Sequence, residues 1–496
     1  MRYSYLLLIC SILIAQTEPI KNLHSNKPGT WTLINAMIHT SPNDFIKGGS
    51  INIRNGKIEA VGRYVKIPKD SYVIDLNGAH VYAGFIESWL ETKSLKQTNS
   101  LRQHWDEKVR PEYRSIDNLS IKIKTIKELR NLGFTSAHLV PDAGIFRGQS
   151  GIINLSDKPK PIKSSVAQVI DFKYKTKNKR TYPRSLLGII AHIRQTFYDA
   201  NWYMKAQKIY EDYPNENAPL SSNIAFESLG ISQSIKKPFI FITTDEHYSN
   251  RAINIANEFS LNSWIKGSGY EYRRLDLYEK TKPFFIIPID FPSKPSVIRA
   301  HSHLQYSTEE LKHWDMAPDN LKYLSNAGLE FSITSDNLKK KSQFRVNLRK
   351  MIDRGLDQST VLAGLTTIPA AAIGMEKSLG KIAPGYDANL VIVDGEYFDP
   401  KSKILSVWVN GEKYFISSNN SEKFQGTWSL KYNGSAYELT IGKQTKQKLN
   451  NKNKSNLSSS NSSYIGSLKL NEKSIAINNI DIFDNAISFT VDGTEF

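Results

Sequence analysis

Apolar residues between Trp31 and Phe85 fall in short alternating or continuous runs, WTLINAMIHT, SINIRNGKIEAVG and YVIDLNGAHVYAGF, separated by Pro, Asn, Asp and Gly. Alternation of this kind predicts half-buried strands. The Asn55-Gly56 pair predicts a two-residue hairpin, because both residues tolerate the positive φ such a turn needs. A second β-rich stretch, Leu379–Phe415, contains LGKIAPGYDANLVIVDG and ILSVWVNGEKYF. Two β segments flanking a long middle predict one small sandwich built from both flanks, residues 29–83 and 379–416.

The middle, from 84 to 378, alternates the two periods. IKTIKELRNLG reads as a helix ending at Gly133, followed by the strand FTSAHLV. SLLGIIAHIRQTFYDANWYMKA reads as a long amphipathic helix, and Asn250–Phe259 places Ala252, Ile255, Ala256 and Phe259 on one stripe. PFIFITT, LNSWIKG, PFFIIPI and LEFSITSD read as buried strands, with helices at Leu321–Ala327 and Val346–Arg354. Such β-α alternation over most of the chain predicts an α/β protein with a parallel sheet, most economically a (β/α)8 TIM-like barrel. After Phe415 the pattern changes again. A polar linker, Ser417–Lys423, leads into an all-β module, residues 424–496, interrupted by a Lys/Asn/Ser-rich loop at 443–464 that lacks the apolar surface to fold. This module reads as incomplete.

The first residues, MRYSYLLLICSILIAQ, set Arg2 before the apolar run Leu6–Ile14 and the small residue Ala15. Met1–Gln16 therefore reads as a signal peptide, too short to span a bilayer, and the protein as exported, periplasmic or extracellular in a bacterium. The chain's single cysteine, Cys10, would leave with that leader. A mature chain without thiols has no disulfide, thiolate metal site or cysteine nucleophile. No transmembrane segment is expected after signal removal.

The 496 residues carry 65 Lys plus Arg against 48 Asp plus Glu, a formal charge of +17. The basic residues are scattered along the chain without a nucleic-acid-binding signature, so no nucleic acid is expected as partner.

Several longer motifs resemble one family. LINAMIHT, GSINIRNGKIEAVG and VIDLNGAHVYAGFIES resemble the opening of the metal-dependent amidohydrolases, and LTTIPAAAIGMEKSLGKIAPGYDANLVIVDG resembles their closing. With GFTSAHLVPDAGIFRGQSGIINL between them, the resemblance covers about Thr30 to Phe415 and is greatest to exported imidazolonepropionase-related proteins. Some of these join two amidohydrolase units through a β module beginning Gly-x-Trp, as GTWSLKY does here. The resemblance therefore implies the N-terminal unit of a two-unit amidohydrolase, and a hydrolase of non-peptide carbon–nitrogen bonds.

The family's chemistry runs through a metal-activated water held by histidines and a carboxylate at the C-terminal end of the barrel strands. The first ligands are a His-x-His pair on strand one, where alternate residues point inward. By the resemblance those two positions hold Trp89 and Glu91. The next ligand position falls at Thr243 or Thr244, with His247 displaced to a following helix, and the one after it at Lys266 or Gly267. Only Asp336, in FSITSDN, matches the strand-eight aspartate that binds metal and acts as general base. It is the candidate catalytic residue, with a helix cap or surface carboxylate as its plainer reading.

No other constellation replaces the lost ligands. His301 and His303 form an H-x-H in a loop, while His138 and His192 stand singly on a strand and a helix, where packing is their ordinary role. GQSG, Gly148–Gly151, lacks a nucleophile elbow, and GSGYEY lacks dinucleotide-binding glycine spacing. Three readings follow. The first is a catalytically degenerate barrel with no cofactor, scaffolding a catalytic amidohydrolase unit or forming a homo-oligomer. The second is an active enzyme with an atypical mononuclear site for zinc or another divalent metal, using Asp336 and Glu91. The third is a carbohydrate- or peptide-binding protein, for which Trp89, Trp202, Trp264 and Trp314 supply aromatic surface.

Overall fold

A computed structural model describes residues 29–94, 103–173, 182–295, 305–417, 426–432, 435–443, 464–470, 473–483 and 486–491. The expected leader with Cys10, the His301/His303 pair and residues 444–463 of the polar tract lie outside the described residues.

Five strands open the described chain: β1 (Thr30–His39), β2 (Phe45–Arg54), β3 (Lys57–Gly62), β4 (Tyr72–Asp75) and β5 (His80–Ala83). Arg54 faces Lys57 across the hairpin that the Asn-Gly pair predicts, with φ of 50° at Asn55 and 79° at Gly56. A Cβ on Gly56 would also stand 2.7 Å from the Asn410 carbonyl oxygen, so this turn fixes its glycine twice over. β1 pairs with β2 along one edge, and along the other runs parallel first to β4 and then to β5.

The chain passes through Gly84 into β6 (Phe85–Thr92), which lies parallel to β7 (Phe134–Pro141). Between them the helix Ile123–Arg130 buries Ile126 and Leu129. The next segment reverses. β8 (Phe146–Gln149) and β9 (Gly151–Asn154) are separated only by Ser150, and β10 (Pro161–Lys163) folds back on β9. β9 runs antiparallel to β7, and β8 runs antiparallel to β11 (Gln168–Asp171). From β11 the order is parallel throughout: β12 (Phe239–Ile242), β13 (Ser263–Lys266), β14 (Phe284–Pro288) and β15 (Phe331–Thr334). These strands are short and almost wholly buried, the pattern of a sheet covered on both faces. The result is a mixed α/β fold in which β6 and β7 are parallel in one sheet and β11 to β15 are parallel in another, with the stretch 146–154 antiparallel to β7 and β11.

Connecting helices follow the predicted segments with shifted ends. The long one is Leu186–Asp212, started by Ser185, whose Oγ accepts from the Gly188 amide. The helix predicted at 250–259 is Glu246–Glu258, because Asp245 caps it and starts it a turn earlier. Those predicted at 321–327 and 346–354 are Asn320–Asn326 and Gln343–Asp353. Among the described residues no helix is long and apolar enough to cross a membrane.

β16 (Leu390–Val393), β17 (Ile404–Val409) and β18 (Glu412–Phe415) return to the start, and β16 pairs with β5. Both flanks therefore form one eight-stranded sheet. Register shifts along β1 between Leu33 and Ile38 bend it, so the sheet curls round its own core of Leu33, Ile51, Val81, Leu390 and Trp408. Beyond it, β19 (Gly426–Tyr432), β20 (Ser435–Lys443), β21 (Tyr464–Leu470), β22 (Lys473–Phe483) and β23 (Ala486–Val491) form a five-stranded antiparallel meander. Lys443 pairs with Tyr464, so both ends of the expected loop belong to strands.

Candidate functional site

The register of the parallel strands sets their C-terminal residues level. Asp171 faces Ile242, Ile242 faces Lys266, and Lys266 faces Ile286. Glu91 is the penultimate residue of β6, while Asp290 and Asp336 lie just past β14 and β15. This is the end of a parallel sheet at which active sites form, because the connecting loops there bring side chains from several strands together.

Two protein cations organise this end. Lys266 is buried, and its Nζ lies 3.0 Å from Asp336 Oδ2 and 5.5 Å from the centre of the Trp89 ring. Trp89 is itself buried. An ammonium with little access to water is stabilised by a carboxylate and an aromatic face, and both are present. Asp290 completes the group: burial raises its pKa, Lys266 opposes that rise and Asp336 adds to it. Asp336 is therefore neither a helix cap nor an isolated surface carboxylate. It is the counter-ion of Lys266.

Arg147, on β8, is the second cation. One guanidinium nitrogen donates to Glu91 Oε1 at 2.9 Å and to the Pro141 carbonyl at 3.1 Å, and the other donates to Asp171 Oδ2 at 2.6 Å. Burial works to lower the Arg147 pKa, but the Asp171 and Glu91 carboxylates outweigh it and hold the pKa above the ordinary value. Asp171 is raised by its own burial, with Arg147 pulling the other way. Glu91 is thus committed to an ion pair.

Below this layer, Glu87 joins β6 to the chain at the end of β15. Its oxygens accept from the Thr334 hydroxyl, from the Ser335 amide at 3.1 Å, from the Ser335 hydroxyl at 2.5 Å, and from the Trp89 amide at 3.2 Å. Burial raises its pKa, and the Ser335 and Thr334 bonds work against the rise. Lys341 Nζ reaches the Ser335 carbonyl at 2.6 Å from the far side.

The remaining expectations place elsewhere. Thr243 is buried and donates to the Lys266 carbonyl at 3.1 Å, while Thr244 is exposed and His247 sits exposed in the first turn of its helix. Gly267 bonds through its amide to the Ile286 carbonyl. His192 Nε2 pairs with Asp106 Oδ2 at 3.0 Å, with both side chains buried. His138 Nε2 lies 2.7 Å from Ser150 Oγ, inside GQSG. That pair is sealed in the core and Ser150 otherwise bonds to the Ala167 backbone, so it is packing and not a nucleophile with its base. Sequence reasoning missed Arg147, Asp171, Asp290 and Glu87. A lone Arg within GIFRGQSG and an Asp closing the buried run QVID were the available signals.

Whether this donor set suits a divalent metal is decided by charge and shape. Trp89 has no ligating atom, and Lys266 and Arg147 bring positive charge to the carboxylates a metal would need. Among the described residues, no group of three or more His, Cys, Asp or Glu is placed to hold a metal ion. The residues do not fit a metal. They make instead two neutralised clusters, one round Lys266 and one round Arg147, whose carboxylates are already satisfied.

Strand order defines a mixed α/β protein with charged groups gathered at its strand ends. Residues 295–415 match the model of the amidohydrolase family. A curated relative, the amidohydrolase tasK of Hapsidospora irregularis, is 34% identical over 99 residues, 20% of this chain and 10% of its own length. The match spans about a tenth of that relative. Among solved structures, an amidohydrolase from Thermotoga maritima MSB8 has a similar fold, with a TM-score of 0.62 at 22% identity, covering 77% of this chain and 99% of that one. The similarity to the amidohydrolase family is thus carried by residues 295–415, and the likeness to the Thermotoga maritima protein is one of fold.

Proposed function

We propose that this chain is a non-hydrolytic member of the amidohydrolase superfamily, whose carboxylates are held by protein cations where the family's enzymes use a metal. The parallel strands and the reversed segment 146–154 close as one (β/α)8-type barrel, β6 meeting β15 through Glu87. The exported chain serves a catalytic amidohydrolase unit as a scaffold and does not itself cleave carbon–nitrogen bonds. One observation carries this reading: Lys266 Nζ lies 3.0 Å from Asp336 Oδ2, against the Trp89 ring. A cation already bound to the one surviving ligand-type carboxylate disfavours a second, divalent one by direct repulsion.

The test is metal content and turnover of the purified full chain, expressed with added zinc or manganese and then dialysed. The expected result is metal far below one equivalent, and no amide or imidazolone hydrolysis above the background of a mock preparation. One equivalent of metal, with hydrolysis that disappears in Asp336→Ala, would overturn the proposal.

A further inference from the structure

The opposite ends of the same strands carry a separate cavity of about 570 Å³. Pro238, Ser263, Phe284 and Glu330, which line it, stand at or just before the starts of β12, β13, β14 and β15. The cavity is therefore a strand's length away from Lys266 and Asp336, on the face where this fold carries no catalytic loops. Its volume lies within the range of small-molecule sites.

Several polar groups around it have no side-chain partner among the described residues. Lys280 and Lys282 are exposed, and neither has an ion pair among the described residues. Between them, Thr281 Oγ1 is buried without a hydrogen-bond partner. Lys282 holds φ of 39° immediately before Pro283, a conformation disfavoured both for a side chain at positive φ and for a residue preceding proline. Such a conformation persists only where the surroundings impose it, and such positions cluster at ligand clamps. Asn257 and Glu330 reach the same space from the neighbouring helix and strand, both exposed. Phe284 is half-buried and packs against the core residue Trp264, ring centres 4.8 Å apart and tilted by 51°.

We propose that this cavity binds a small hydroxylated carboxylate, a molecule of the sugar-acid class. Two ammonium groups two residues apart in one loop, without an ion pair among the described residues, match a single carboxylate. The Thr281 and Ser263 hydroxyls, the Asn257 amide and the Glu330 carboxylate supply donors and acceptors for ring hydroxyls. The half-buried Phe284 ring is the apolar contact for the carbon skeleton of the ligand. A bare anion would use only the lysines, and a neutral sugar would leave them without a counter-charge.

The site is independent of whether the opposite end of the strands turns over a substrate, and so is its test. Glucuronate, glucose and inorganic phosphate are titrated into the full chain by calorimetry and thermal shift. The result expected is a melting temperature raised by glucuronate, with glucose and phosphate each binding at least about tenfold more weakly. Lys280→Gln/Lys282→Gln, which changes only exposed side chains, should weaken glucuronate about tenfold or more and leave the unliganded melting temperature unchanged. Thr281→Val should weaken it as well. Failure of glucuronate to bind at about 10 mM, equal binding of glucose or of phosphate, or undiminished binding to the double variant would each overturn the proposal.

Discussion

Lys266 Nζ lies 3.0 Å from Asp336 Oδ2, and this bond ties the end of β13 to the end of β15 across β14. Its two partners are not equally placed: the lysine side chain is 5% exposed, whereas the aspartate is 28% exposed. Losing the aspartate strands a buried cation, while losing the lysine leaves a carboxylate that water reaches. Asp336→Asn is therefore expected to cost more than Lys266→Met, which keeps an unbranched apolar stem against Trp89. After discounting for the exposure of Asp336, the expected costs are about 2 kcal/mol and under about 1 kcal/mol respectively. Urea unfolding of the two variants measures this order, and the reverse order would show that the pair is not organised by burial of the ammonium.

The Arg147 cluster makes a prediction about shape. The guanidinium divides its nitrogens between Glu91 and Asp171, and a lysine ammonium cannot span both. Arg147→Lys should lose about 1–3 kcal/mol despite keeping its charge. Arg147→Met adds a pH signature. Without the cation, burial raises the Asp171 pKa further above its unfolded value. The folded state then binds a proton more readily than the unfolded one, so this group's contribution falls as pH rises through the raised folded value. The Arg147→Met deficit should accordingly be smaller near pH 4 than near pH 7, read as the difference in urea midpoint from the unaltered protein at each pH.

Local periodicity explains which of these features were legible in the sequence. The Asn55-Gly56 hairpin, the strands at 239–242, 284–288 and 331–334, and the helices at 123–130 and 246–258 all follow from spacing within one segment. The reversed segment 146–154 did not, because FRGQSGIIN places glycines where strand signals are sought and its direction is set by neighbours distant in sequence. The same holds for the site. Trp89, Glu91, Lys266 and Asp336 could be placed by resemblance, but their bonding could not. Arg147 meets Glu91 across 56 positions, and Glu87 meets Ser335 across 248. No local pattern records such pairs. Reading the sequence could place these positions, and only the fold shows which cations their carboxylates meet.

Glu87 tests the proposed closure. Its carboxylate is the shared acceptor for donors from β6 and from the end of β15. Glu87→Gln preserves volume but turns one acceptor into a donor facing hydroxyls and an amide. It should cost about 2–3 kcal/mol, and hydrogen exchange at the Ser335 and Trp89 amides should accelerate together. Acceleration at only one of the two would show that Glu87 does not couple the strands.

His138 predicts how stability depends on pH. Burial lowers its pKa from 6.5 to about 4, so it stays neutral in the folded core while the unfolded chain titrates normally. Between these values the unfolded state binds the extra proton. The contribution is therefore complete above pH 6.5 and is lost as pH falls toward about 4. For this fully buried ring it amounts to roughly 3 kcal/mol across the window. His39 and His313, also lowered to about 4 with burial as the largest cause, add slopes of the same sign. His138→Gln removes the titration while offering one donor and one acceptor to the same neighbours. Its urea-derived stability should be lower than that of the unaltered protein at pH 7, and should fall less steeply from pH 6.5 to pH 4.5. Parallel pH profiles for the two proteins would show that protonation of this ring does not limit the fold.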